Sequence, residues 1–152
     1  MDDLVFRRAV SSDLPAIVAM LADDMLGRQR ENTSEPVAEC YRQAFEAIHV
    51  DPNQLLAVAE LDGTVVGTLQ ISFMPGLSRQ GAWRADIESV RVSNQARGAG
   101  LGRRMMEWAI EQCRRRDCQI VQLTSDLKRV DAHRFYDQLG FSASHKGYKM
   151  TL

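Results

Sequence analysis

The chain reads as an α+β fold with α/β-like connections, a central sheet of about seven strands flanked by about four helices. Three observations predict it. Two runs rich in Leu, Val and Ile, 54–60 and 64–73, flank Leu61-Asp62-Gly63, whose Asp-Gly pair suits a tight hairpin. Segments with apolar residues at helical spacing alternate with β-rich runs. A glycine-rich turn, Arg97-Gly98-Ala99-Gly100-Leu101-Gly102, joins a strand to a long helix.

Taken in order, Val5 to Val10 is a first strand, and Ser12 is placed to cap a helix carrying Leu14, Ile17, Val18 and Leu21, with Pro15 in its first turn. After an irregular polar stretch, 24–35, Val37, Tyr41, Ala44, Phe45 and Ile48 mark a second helix that ends at Asp51-Pro52-Asn53. The hairpin follows. Met74 to Arg79 reads as loop, Ala82 to Val92 as a strand and Gly98 to Arg116 as one helix, with Leu101, Met105, Ala109 and Cys113 on one apolar stripe. Gln119 to Thr124 is a short strand, and Asp131 to Leu139 a helix stopped by Gly140. Phe141 to Leu152 reads as two closing strands around His145-Lys146-Gly147.

At 152 residues the chain has the size of one domain, 1–152, and its 45% hydrophobic and 26% charged content excludes a disordered chain. A net charge of −1 gives no general attraction to nucleic acid or anionic membranes. The acidic start Met1-Asp2-Asp3-Leu4 is unlike a signal peptide, and no stretch is long enough to span a bilayer, so no membrane association is expected. Cys40, Cys113 and Cys118 make an odd count without a CxxC pair, which fits a reducing cytoplasm. His49, His133 and His145 lack ligand spacing, and no metal is expected.

A diphosphate needs several backbone amides at once. A loop entering a helix supplies them, because the first helical N–H groups have no intrahelical partner. Gly98, Gly100 and Gly102 remove obstructing side chains, and the helix dipole and Arg103 add positive potential. The same glycines also fit a turn that only connects a strand to a helix, as in a generic α/β interaction domain, while two other phosphate turns do not fit. A dinucleotide fingerprint stands near the start of its domain, whereas about ninety residues precede this turn, and no Gly-Lys-Ser/Thr follows it.

Val90-Arg91-Val92, then Arg97 to Gly102, then Ala132-His133-Arg134-Phe135-Tyr136-Asp137-Gln138-Leu139-Gly140-Phe141 together resemble the GNAT superfamily of N-acetyltransferases. The first half of the chain resembles it by element order alone. The resemblance implies a splayed mixed sheet with acetyl-CoA as cosubstrate in the gap between two parting strands. It implies that Val90, Arg91 and Val92 offer backbone groups to the pantetheine arm, much as a strand edge pairs with a peptide. By the same resemblance Arg97, Gly98, Ala99, Gly100, Leu101, Gly102 and Arg103 hold the pyrophosphate, and Ala132 and Phe135 lie beside the cofactor. An asparagine is often found three residues before the alanine matching Ala132; here Arg129 stands there, so the resemblance does not carry over an asparagine contact to CoA. Arg129, with Lys128 and Arg134, either approaches the CoA phosphates or is a solvated helix-end cation.

Acetyl transfer to an amine requires a neutral nucleophile, stabilisation of the developing oxyanion and a proton for the leaving thiolate. Tyr136 matches the tyrosine that members of this family use as general acid; alternatively it packs with Phe135 and Phe141. Glu88 and Asp86 are candidate bases, placed by strand alternation on one face with Val90 and Val92; the alternatives are pairing with Arg84 or Arg91, or a base that is only water. The expected partner is a primary amine of unknown identity. Asp23, Asp24, Glu31 and Glu35 would favour a cationic acceptor, and Arg28, Arg30, Arg79 and Arg84 an anionic one. A homodimer through the last strands is expected from the resemblance, and a non-catalytic acyl-CoA-binding or regulatory module is the rival function.

Overall fold

The structure, a computed structural model, describes residues 3–152. Five strands, β1 (Leu4–Arg8), β2 (Gln54–Leu61), β3 (Thr64–Met74), β4 (Arg84–Val92) and β5 (Ile120–Gln122), form one sheet in the order β1-β2-β3-β4-β5. The first four are antiparallel neighbours, and β5 is parallel to β4. Five helices accompany them: α1 (Leu14–Ala22), α2 (Glu39–Val50), α3 (Ser78–Gly81), α4 (Leu101–Arg115) and α5 (Val130–Gln138).

The expected seven strands and four helices are therefore corrected to five and five among the described residues. The extra helix, α3, is a single turn in the expected loop, with left-handed Arg79 and Gln80. The two missing strands are those expected in Phe141 to Leu152, a segment with no regular secondary structure. A strand needs a ladder partner, and every residue from Ser142 onward is exposed.

Pairing of Leu61 with Thr64 leaves Asp62-Gly63 as a two-residue hairpin loop. Both residues have positive φ, 49° and 81°, as the turn that matches strand twist requires. At the start of α1 the expected Ser12 cap is not made. Asp13 instead accepts from the Val10 amide (2.8 Å) and from Arg7 (2.8 Å), and Arg7 also reaches Glu60 (2.7 Å), tying β1, β2 and α1 together.

Alternation sorts the sheet into two faces. Ala57, Ala59, Leu69, Ile71, Phe73, Ala85 and Ile87 pack with Leu101, Met105, Met106, Ala109 and Cys113 of α4. Gly67 lets that helix approach, since a Cβ there would lie 2.5 Å from Met105 Sδ. On the opposite face, Val58 joins Ala9, Leu14, Ile17 and Phe45 beneath α1 and α2. Among the described residues, no helix is long and apolar enough to cross a membrane.

Candidate active site

Strand β4 carries the irregularity that shapes the site. Thr68 faces Arg91 and Gln70 faces Glu88, so two residues of β4, Ser89 and Val90, oppose one of β3. This is a β-bulge, with Ser89 at φ 55°. A bulge bends its strand, and the parallel pairing with β5 covers only Arg84 to Asp86, ending at Asp86 and Gln122. Beyond that point β4 continues to Val92 while β5 has ended, which leaves that side of β4 without a strand partner from Ile87 to Val92.

The bulge also corrects the expected side-chain alternation. Asp86 and Glu88 do not share a face with Val90 and Val92. The extra residue shifts the phase, so Val90 and Val92 join the cluster under α4, and Arg91 shares the α1 face with the two carboxylates.

After Val92 a short turn leads to Arg97, whose Nε donates to the Val92 carbonyl (3.2 Å) and whose guanidinium lies 3.6 Å from Asp23. Gly98 and Gly100 have φ of 85° and 74°, the left-handed region where a side chain is strained. They keep the turn out of the helix, so α4 begins at Leu101 rather than at Gly98. Arg104 is the first residue whose amide bonds back to the turn, to the Gly100 carbonyl at 3.2 Å. The amides of Leu101, Gly102 and Arg103 precede it and are left without helical acceptors.

These amides border a cavity of about 330 Å³ lined by Val92, Ala96, Arg97, Gly98, Gly100, Leu101, Gly102, Arg103, Phe135 and Gln138. Eight of those ten were candidate cofactor residues. Ala96 and Gln138 were not, although Gln138 lies three residues after Phe135 and so on the same helical face. Val90, Arg91, Ala99, Arg129 and Ala132 lie outside the lining. Arg103 pairs with Glu107 along α4 (3.0 Å).

Tyr136 packs edge-on against Phe135 and Phe141, with centroids 5.2 and 6.1 Å apart. Burial pushes its hydroxyl above the usual tyrosine range, partly countered by Arg91 and Arg129 nearby, so it holds its proton at neutral pH. Burial also raises Asp86, opposed by Gln122 and Lys149. Glu88, more open to solvent, is raised by desolvation and by repulsion from Asp86, with Lys149 opposing. Neither carboxylate is bonded to Arg84 or Arg91. Lys149 was not anticipated as a neighbour, because it comes from the segment expected to be strand.

Arg129 stands at the N-cap of α5 and bonds to Asp24, while Lys128 and Arg134 are exposed. Arg91 lies 3.8 Å from the same Asp24 oxygen and donates to its neighbour's carbonyl, Val90 O, at 3.0 Å. Among the described residues no three His, Cys, Asp or Glu side chains gather as metal ligands.

Residues 20–141 match the model of the acetyltransferase (GNAT) family. The chain is 28% identical to the aminoalkylphosphonate N-acetyltransferase of Salmonella typhimurium (strain LT2), over 96% of this chain and 90% of that one. It is 33% identical to the glucosamine 6-phosphate N-acetyltransferase of Trypanosoma brucei brucei, over 59% of each. Among solved structures, a protein described as a transcriptional regulator from Bacillus halodurans C-125 superposes with a TM-score of 0.95 and 48% identity, covering 98% of this chain and 99% of that one.

Proposed function

The chain belongs to the acetyltransferase (GNAT) family, and on that premise we propose that it moves an acetyl group from acetyl-CoA to a primary amine by direct attack. The observation that carries this reading is the cavity between the glycine-rich turn and Phe135, bordered by amides without helical acceptors. Those amides suit a diphosphate, and the unpaired stretch of β4 from Ile87 to Val92 suits an amide-bearing arm. When bound there, acetyl-CoA supplies an activated acetyl thioester.

In this reading the backbone of Val90 to Val92 and the turn Arg97 to Arg103 orient the donor. Ala132 and Phe135 of α5 close its side. Glu88, raised above the ordinary carboxylate range, takes the proton from the incoming ammonium directly or through water, with Asp86 sustaining that shift by repulsion. Tyr136, kept protonated by burial, delivers a proton to the leaving thiolate and regains one from the acylated nitrogen as the tetrahedral adduct collapses. The names of the two relatives above, both small-molecule N-acetyltransferases, support a small acceptor over a protein. Thiol release with acetyl-CoA against amino acids, polyamines, aminoglycosides and peptides tests this; turnover restricted to peptides would contradict it.

The tail supports a homodimer. Tyr148, Met150 and Leu152 alternate in strand fashion and are 88%, 84% and 112% exposed, and β5 is a sheet edge of only three residues. A second copy offering strand partners would bury these side chains. Sedimentation as a monomer at micromolar concentration would rule this out.

One observation favours a second reading: the structure with 48% identity is called a transcriptional regulator. A chain used in that way would keep acetyl-CoA and do no chemistry. Tight acetyl-CoA binding without CoA release to any amine would favour it.

A further inference from the structure

On the α1 face of the site two arginines share one carboxylate, an arrangement for which acetyl transfer alone gives no reason. Arg91 and Arg129 converge on a single carboxylate, Asp24, and the three side chains are only 20%, 27% and 23% exposed. The Asp24 carboxylate is shared further, since its other oxygen accepts from the Gly27 amide (2.5 Å). Arg91 is therefore poorly matched. Its nearest carboxylate oxygen is 3.8 Å away, its one hydrogen bond goes to the adjacent Val90 carbonyl, and its Nε is buried with no partner. Burial, then repulsion from Arg129, lower its pKa, and Arg30 adds a third cation to the surroundings.

A half-buried guanidinium with an orphaned N–H is costly, and the cost is recovered when an oxyanion meets its planar fork. The cluster's position selects which oxyanion. The bulge puts Arg91 on the same face of β4 as Glu88 and Asp86, and both arginines lie near Tyr136, so they face the proposed acceptor end of the site. The cavity of the pyrophosphate turn is lined by neither. Glu88 and Arg91 are three positions apart along the strand, with Ser89 and Val90 between them, roughly 10 Å before the bulge shortens the path. Allowing for the reach of both side chains, that span fits a small molecule with an amine at one end and an anion at the other.

We propose that the acceptor is a short primary amine bearing a phosphonate, phosphate or carboxylate group, which Arg91 and Arg129 bind while Asp24 holds the two guanidiniums in place before it arrives. This rests on the acetyltransferase reading above. The backbone of Arg91 keeps its place in the donor strand; its guanidinium, and that of Arg129, act on the acceptor instead of the CoA phosphates.

The test uses the full chain, acetyl-CoA and four primary amines of equal length ending in phosphonate, carboxylate, hydroxyl or ammonium. An anionic end should raise kcat/KM about tenfold or more over the hydroxyl end, and Arg129→Gln should abolish that preference through the KM of the acceptor, with a smaller change in the KM of acetyl-CoA. Arg91→Gln should do the same, and Arg129→Gln, at a more exposed position, serves alone if Arg91→Gln does not fold. Arg129→Lys should restore part of the preference. Equal use of the hydroxyl and anionic amines overturns the proposal and leaves the acetyltransferase reading standing. So does an Arg129→Gln effect that falls mainly on acetyl-CoA. CoA release with none of the four amines, nor with any wider panel, overturns both.

Discussion

Phe135 stands over Gly102: a Cβ built on Gly102 would lie 3.6 Å from the Phe135 ring and 3.8 Å from Val92 Cγ2. The start of α4, the end of β4 and the middle of α5 therefore meet at one point, on the wall of the cavity assigned to acetyl-CoA. Both contacts are ordinary van der Waals distances, so alanine is accommodated and larger side chains are not. Gly102→Ala should bind acetyl-CoA with little change. Gly102→Leu should raise the KM of acetyl-CoA about tenfold, read by initial rates at saturating amine.

The left-handed backbone at Gly100 makes a different prediction. Gly100→Ala meets no neighbouring atom but must hold a conformation that costs about 1–2 kcal/mol for a side chain. A lowered Tm together with weaker acetyl-CoA binding is expected. An unchanged Tm would mean that the turn relaxes without strain.

Tyr136→Phe keeps the ring that packs between Phe135 and Phe141 and removes only the hydroxyl. If Tyr136 is the general acid, kcat falls about a hundredfold with acetyl-CoA affinity retained. A variant that turns over as the parent does leaves Tyr136 a packing residue and passes the proton to water.

The raised Glu88 carboxyl sets the sign of the pH response. As base it works when deprotonated, so kcat/KM should climb with pH through a pKa above the usual carboxylate range, and Glu88→Gln should remove that limb. Stability moves the other way. A carboxyl with a raised folded pKa binds more protons folded than unfolded, so its contribution declines as pH rises between the two values. Asp13 is the reverse case. Arg7, foremost, holds its carboxyl below the ordinary value, so the stability it adds is full above the unfolded pKa and is lost as pH falls through the folded one. Asp13→Asn should cost about 2 kcal/mol in denaturant unfolding at neutral pH and less in acid, a figure reduced for the partial exposure of Arg7.

Much of this was legible in the residues. The Asp-Gly hairpin, the stripe of α4 and the turn from Arg97 to Gly102 are local patterns, fixed by neighbours in sequence, and the structure holds them within a few residues of where the spacing puts them. The bulge at Ser89 was not legible, because no glycine marks it and its cause is pairing with β3. It changed the site most, moving Arg91 to the face of Glu88 and Val92 to the other. The convergence of Arg91 and Arg129 on Asp24 was hidden for the same reason, since Asp24 and Arg129 are 105 residues apart. The closing strands failed for a further one: alternation in Tyr148-Lys149-Met150-Thr151-Leu152 is a strand pattern, but alternation does not supply the strand it pairs with.

The central claim is acetyl transfer from acetyl-CoA to an amine, and it is tested most directly by counting both products of one reaction. Purified protein with acetyl-CoA and an amine that triggers thiol release should yield free CoA and N-acetylated amine in equal amounts, followed by thiol titration and mass spectrometry. Bound acetyl-CoA that is never consumed with any amine, or CoA released without an acetylated amine, would contradict it.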